Sequence, residues 1–239
     1  MLEARDLYKS FGSIAAVRGV SFTARDGQIT GLLGPNGAGK STTLRMLYTV
    51  LKPDQGDAFI NGTSVIADPL AARRSLGVLS HGAGVYNNLT ARENIVYFGE
   101  LHGMERADRD ARAAELIEML EMQSFADRLA KGFSQGQKLK TALARALVHR
   151  PRNLLLDEPT NGLDVMAVRN LRKLLGRLRD AGHCVLFSSH VMQEVEQLCD
   201  EVVVINGGQV VAAGTLADIR AYAANSHLED AFVSLMEPK

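Results

Sequence analysis

Cysteine is scarce in this 239-residue chain: Cys184 and Cys199 are the only two. Both sit in apolar contexts without metal-ligand spacing, which excludes a cysteine-built metal site and fits a reducing cytosol. Net charge is absent as well, because Lys+Arg and Asp+Glu both total 27. Nucleic-acid binding normally leaves a basic footprint, so no electrostatic case for it exists. No run approaches the ~20 apolar residues needed to span a bilayer. Met1-Leu2-Glu3-Ala4-Arg5-Asp6 also lacks the apolar centre of a signal peptide. The expectation is a soluble chain whose membrane role, if it has one, comes through a partner. What is there is ordinary globular material, 46% apolar and 23% charged, of a length that suits one large domain or a core with a sizeable subdomain.

Gly34-Pro35-Asn36-Gly37-Ala38-Gly39-Lys40-Ser41 fills every fixed position of a phosphate-binding P-loop. The apolar run Gln28-Ile29-Thr30-Gly31-Leu32-Leu33 before it reads as a strand, and Thr42-Thr43-Leu44-Arg45-Met46-Leu47 after it reads as the opening of a helix. Glycines let such a loop curl its N–H groups inward toward phosphate oxygens, and the helix N-terminus adds partial positive charge there. Lys40 supplies a full charge for the β- and γ-phosphates, and the Ser41 hydroxyl is placed for Mg²⁺. A bare strand-to-helix turn explains the glycines but not Lys40-Ser41.

Along the chain, residues 1 to about 30 predict short strands with Gly12, Gly19 and Asp26-Gly27 as turns. Asn61-Gly62 predicts a hairpin tip, and residues 75–80 a further strand. From Thr90 to about Arg150 the composition favours helix. Ala113, Leu116, Ile117 and Leu120 recur at helical spacing with Arg112, Glu115, Glu118 and Glu121 between them, so that helix turns one face to a core. Glu105–Asp110 reads as a solvated run of mixed charge. Apolar strands return at 154–156, 184–187 and 202–205, separated by helical stretches 165–180 and 191–199. Alternation of that kind implies a parallel sheet buried on both faces. Asn206-Gly207-Gly208 then turns into a last hairpin. The reading is an α/β core, residues 1–85 plus 150–220, interrupted by a helical insertion.

Leu154-Leu155-Leu156-Asp157-Glu158 ends an apolar strand in two acids. In a P-loop fold the first carboxylate belongs beside Mg²⁺ and the next can polarise the attacking water. His190 closes another core strand, at the edge where open parallel sheets bind ligands. Phe133-Ser134-Gln135-Gly136-Gln137 precedes an obvious helix. Ser134 and Gln137 could form a capping box, or the same helix N-terminus could present N–H groups to a phosphate. The pentapeptide alone leaves both open.

Taken in this order, the elements resemble the ATP-binding cassette (ABC) family of transporter ATPases from Leu2 to the hairpin near Gly214. The resemblance implies a P-loop NTPase core with a mostly parallel sheet, an antiparallel β subdomain, and an inserted helical subdomain at 86–149, followed by a tail at 221–239. It identifies Phe133–Gln137 with the signature, Leu154–Glu158 with Walker B, Gly162-Leu163-Asp164 with the D-loop and His190 with the switch histidine. Phe11 matches the aromatic that stacks on adenine. ATP and Mg²⁺ are the implied cofactors. Nucleotide contacts fall to Phe11, Gly34, Pro35, Asn36, Gly37, Ala38, Gly39, Lys40, Ser41, Thr42, Ser134, Gly136, Gln137 and Asp164. Ser41 and Asp157 hold the metal, and Glu158 and His190 are catalytic. A second ATPase subunit, as a head-to-tail homodimer around two ATP molecules, and a separate transmembrane permease are the implied partners. That places the chain at the cytoplasmic face of the inner membrane, with no nucleic acid bound.

Two positions depart from the family pattern. Position 81 should be glutamine and is His81; a hard cation prefers oxygen, so His81 is expected to act through a bridging water or not at all. Gln135 stands where the signature has glycine, while Ser134 and Gly136 are intact. His81–Tyr86, Asn88–Asn94 and Leu228–Phe232 resemble the sodium-extruding, NatA-type exporters. The competing class is a soluble cassette ATPase acting on ribosomes or DNA. Against it, only about 90 residues separate Lys40 from Ser134, with no sustained heptads, and the chain holds a single cassette.

Overall fold

The structure, a computed structural model, describes residues 1–82, 84–222 and 228–236. Ala83 and the tail positions 223–227 and 237–239 lie outside the described residues. The chain opens on β1 (Leu2–Phe11) and β2 (Ile14–Ala24), then β3 (Ile29–Leu33), the P-loop and α1 (Lys40–Leu47). β4 (Gln55–Ile60), β5 (Thr63–Ser64), α2 (Pro69–Arg74) and β6 (Leu76–Leu79) follow. Three helices then intervene: α3 (Ala91–Leu101), α4 (Arg106–Met119) and α5 (Gln135–Leu147). β7 (Asn153–Asp157), α6 (Val165–Asp180), β8 (Cys184–Ser189), α7 (Met192–Leu198) and β9 (Glu201–Asn206) restore the alternation. β10 (Gln209–Gly214), α8 (Leu216–Tyr222) and α9 (Leu228–Met236) end it.

Two sheets result. One is antiparallel in the order β2-β1-β4-β5; the other runs β10-β9-β3-β8-β7-β6. In the second, β9, β3, β8, β7 and β6 are parallel and only β10 is antiparallel. Its strands are apolar on both faces because both faces are covered. Ile29, Leu33, Leu154, Leu156, Val185 and Phe187 point to a core shared with α3–α7. The intervening Leu32, Leu155, Cys184 and Leu186 point to a core shared with the antiparallel sheet and α1. Each fully buried leucine contributes about 1.5–3 kcal/mol relative to exposure, so this two-sided run is the main stabiliser of the fold.

The predicted hairpin tip forms as expected, with both Asn61 (φ 50°) and Gly62 (φ 83°) left-handed. The N-terminal prediction of short strands is corrected. β2 runs eleven residues straight through Gly19, which sits at φ 79° where the pairing register with β1 shifts. A Cβ on Gly19 would lie 2.8 Å from the Tyr8 hydroxyl. That glycine marks a bulge under a tyrosine, not a turn.

In α4 and its C-cap, Ala113, Leu116, Ile117 and Leu120 are buried as predicted. Arg112, expected on the solvated side, is buried too. Its Nη2 donates to the Leu147 carbonyl at 3.2 Å, satisfying an acceptor in the last turn of α5. Both α3 and α5 begin in capping boxes, Thr90 with Glu93 and Ser134 with Gln137.

Between α5 and β6, His149 stacks on His102 with ring centroids 3.6 Å apart, and its Nε2 bonds the Leu76 carbonyl at 2.9 Å. Burial, reinforced by the neighbouring His102, pulls the His149 pKa down to about 4 from an ordinary 6.5. Between those two values the unfolded chain binds the extra proton, so stability falls as pH drops from 6.5 toward 4. By that linkage acidification to pH 5 should remove up to about 2 kcal/mol. Chemical denaturation at pH 7.5 and pH 5 should show a smaller acid loss for His149→Asn than for the native chain.

Candidate functional site

Five parallel strands bring their C-terminal ends to one edge, and three adjacent ones carry the chemistry. Leu33 pairs with Ser189, and Asp157 with Ser188, so the P-loop, the two acids and the serine pair of β8 emerge side by side. The P-loop is folded tightly against its surroundings. A Cβ on Gly34 would lie 2.2 Å from the Ile205 carbonyl, and one on Gly39 (φ 104°) 2.5 Å from that of Ala16. Pro35, Asn36 and Gly37 are exposed, while Ala38 is buried. Gly208 N–H donates to the Ala38 carbonyl, so the β9–β10 turn braces the loop.

Lys40, 4% exposed, folds over the loop and donates to the carbonyls of Gly34 (2.8 Å) and Pro35 (3.0 Å). Burial lowers its pKa, opposed by Glu158 and Asp157 nearby. Ser41 Oγ donates to Asp157 Oδ1 at 3.0 Å. Ser188 Oγ donates to the same oxygen at 2.7 Å and accepts the Glu158 N–H at 3.0 Å. Asp157 Oδ2 is buried and has no hydrogen-bond partner among the described residues. A buried carboxylate oxygen left open beside a hydroxyl is the hard oxygen donor set that Mg²⁺ takes, usually with substrate phosphates and water completing the shell. Ser41 and Asp157 therefore fit the metal. Thr42, half-buried in the first turn of α1, follows them.

Ser188 was missed in the sequence. Its signal was a pair of polar residues ending an otherwise apolar strand, both of which are buried. Ser189 also matters: its hydroxyl and that of Thr160 each bond Glu194 at 2.8 Å, tying the segment after Glu158 to α7.

Glu158 adopts φ 49°, a left-handed conformation that costs a non-glycine residue about 1 kcal/mol or more. His190 Nδ1 stands 3.4 Å from its Oε1, and His81 Nδ1 3.9 Å from its Oε2. His81, expected to act through a bridging water or not at all, lies with its ring nitrogen near the Glu158 carboxylate but beyond hydrogen-bond distance. Phe11 is half exposed at the end of β1, on the hairpin whose second strand touches Gly39 through Ala16.

The remaining predicted residues lie apart from this cluster. Ser134 and Gln137 bond one another, and Asp164 caps α6 by accepting from Ala167 N–H at 2.8 Å. With Gly136 they line a cavity of about 410 Å³ that includes no P-loop residue. A second cavity, of about 380 Å³, is lined by Asp157, Glu158 and His81 together with Gln135 and Lys138.

Residues 17–161 match the profile of the family described as ABC transporter. The chain belongs to that family. Along 222 residues it is 40% identical to the ABC transporter ATP-binding protein NatA of Bacillus subtilis, covering 92% of this chain and 90% of that protein. It is 39% identical over 220 residues to the daunorubicin/doxorubicin resistance ATP-binding protein DrrA of Streptomyces peucetius, covering 92% and 67%. Its fold matches the dimeric post-hydrolysis state of the cassette MJ0796 bound to ADP and Pi. That match has a TM-score of 0.79 at 27% identity and covers 90% and 98% of the two chains. The cassette is an ATPase with the P-loop NTPase α/β fold, and no helix among its described residues is long and apolar enough to cross a membrane.

Ser188→Ala should leave the cassette folded but free one hydrogen bond on Asp157. Removing such an orienting partner typically costs 10–100-fold in metal affinity or activity, and about 10-fold is expected here. A titration of Mg²⁺ against nucleotide-dependent hydrolysis should show the midpoint moving up.

Proposed function

We propose that this cassette is the ATP-hydrolysing subunit that powers export through a separate transmembrane subunit, docked at the cytoplasmic face of the inner membrane. The observation that carries it is the hydrogen-bonded chain from Ser41 through Asp157 and Ser188 to Glu158, assembled around one open carboxylate oxygen. In this reading, the P-loop of residues 34–42 wraps the phosphates with the N–H groups of all its residues but Pro35, and Lys40 exchanges its two carbonyl partners for phosphate oxygens. Phe11 stacks on the adenine. Mg²⁺, when bound between Ser41 and Asp157, supplies charge neutralisation across the terminal phosphates. Glu158 orients and polarises the attacking water, and His190 holds charge at the γ-phosphate.

Ser134, Gly136, Gln137 and Asp164 line a different cavity from the P-loop. That separation supports a head-to-tail homodimer in which Ser134 and Gly136 of the partner subunit complete each site. Closure excludes water and strengthens the electrostatics at the γ-phosphate. Residues 1–85 and 150–220 form the nucleotide-binding core, 86–149 the helical subdomain and 221–239 a tail. Export is favoured by the resemblance around His81–Asn94 and by the similarity to a drug-resistance cassette. Sodium is the cargo that the NatA-like segments favour. Among the described residues the longest helix is α6, at 16 residues, which speaks against the long coiled coils of DNA-acting cassettes.

Glu158→Gln should bind ATP and accumulate as a dimer on size-exclusion chromatography, while hydrolysis falls by about 100-fold or more. A variant that stays monomeric with ATP and turns over normally overturns the assignment. Affinity purification from membranes should recover a polytopic membrane protein with the native chain.

A further inference from the structure

We propose that His81 is a positioning residue for hydrolysis: with His190 it brackets the Glu158 carboxylate, one imidazole to each oxygen. The inference rests on Glu158 being the group that polarises water. Its basis is the order of the sheet. β7 lies between β6 and β8, and Leu79 of β6 is in register with Leu156. Two residues beyond that pair stand His81 and Glu158. On the other side Asp157 is in register with Ser188, and His190 follows two residues later. Each strand flanking Glu158 therefore runs out into a histidine, and both aim Nδ1 at it, over 3.9 Å to Oε2 and 3.4 Å to Oε1.

The side chain of Glu158 is 16% exposed, whereas those of His81 and His190 are about half exposed, 51% and 43%. The carboxylate is thus the fixed centre and the imidazoles its movable sides. The His190 contact is long for a hydrogen bond and the His81 one lies beyond hydrogen-bond distance; catalytic contacts commonly tighten when substrate is bound. Fixing a free glutamate side chain costs rotamer entropy. Two donors on opposite oxygens remove most of that freedom before water is attacked, and they choose which lone pair faces it. A histidine is suited to this at position 81 because Nδ1 is a donor two bonds beyond Cβ, on a ring with few rotamers. The tautomer it holds is set by what that nitrogen bonds.

The test uses the full chain and two readouts. In steady-state hydrolysis, His81→Ala should lower kcat about 10-fold with KM changed less than about 2-fold. His81→Asn, whose Nδ2 lies as many bonds from Cα as Nδ1 does, should recover activity to within about 3-fold of native. In a Glu158→Asp background, which withdraws the carboxylate, His81→Ala should cost less than about 2-fold, the non-additivity expected of two groups acting as one. Without nucleotide, the imidazole nitrogen resonances of His81 should shift on Glu158→Ala. Equal losses in both backgrounds, native turnover of His81→Ala, or unmoved His81 resonances would each overturn the proposal. Hydrolysis at the native rate by Glu158→Gln would instead remove the reading of Glu158 itself.

Discussion

A carboxylate 2% exposed at the end of a central strand is expensive unless its oxygens are satisfied, and Asp157 is only half satisfied. Two hydroxyls, from Ser41 on α1 and Ser188 on β8, converge on one oxygen and leave the other bare. The rest of the site is arranged around that imbalance. Ser41 is there because the P-loop turns back over the sheet edge. Ser188 is there because β8 is in register with β7, and its hydroxyl also holds the N–H of Glu158 in a left-handed conformation that is unfavourable for glutamate. Lys40 is drawn down by burial against its own loop, with both acids supporting its charge. The cluster stores desolvated charge of both signs at one point, which is where a magnesium-bearing triphosphate would restore balance.

The architecture explains why this can be held rigidly. The strands that deliver the site are covered on both faces, their odd and even residues feeding two separate cores. Movement of one strand end relative to its neighbour would disturb both cores at once. By contrast, Ser134 and Asp164 serve as helix caps around another cavity. That cavity holds none of the P-loop residues, although Gln135, at the start of the helix that Ser134 caps, lines the neighbouring one with Asp157 and Glu158.

Much of this was legible in residue order. The P-loop, the acids of β7 and the histidine after β8 could be found because phosphate chemistry needs those residue types at fixed spacing, and because strands buried on both faces read as unbroken apolar runs. Helix α6 forms over Val165–Asp180, the stretch that the sequence predicts. Other features were not legible. Arg112 looked like one charge among several on a polar helix face, and its burial is tolerable because it pairs with Glu115 and donates to the carbonyl of Leu147, 35 positions away. Gly19 looked like a turn because a bulge and a turn ask the same left-handed backbone of a glycine.

Local chemistry in the chain therefore determined the phosphate loop, the strand-ending acids and the two-sided sheet, since each is specified by neighbours a few residues apart. The partners of those groups were decided by tertiary structure alone. Ser188 on Asp157, and His81 and His190 on Glu158, are brought together by the lateral order of strands. That order depends on how helices and the second sheet cover the two faces, and no short-range pattern encodes it.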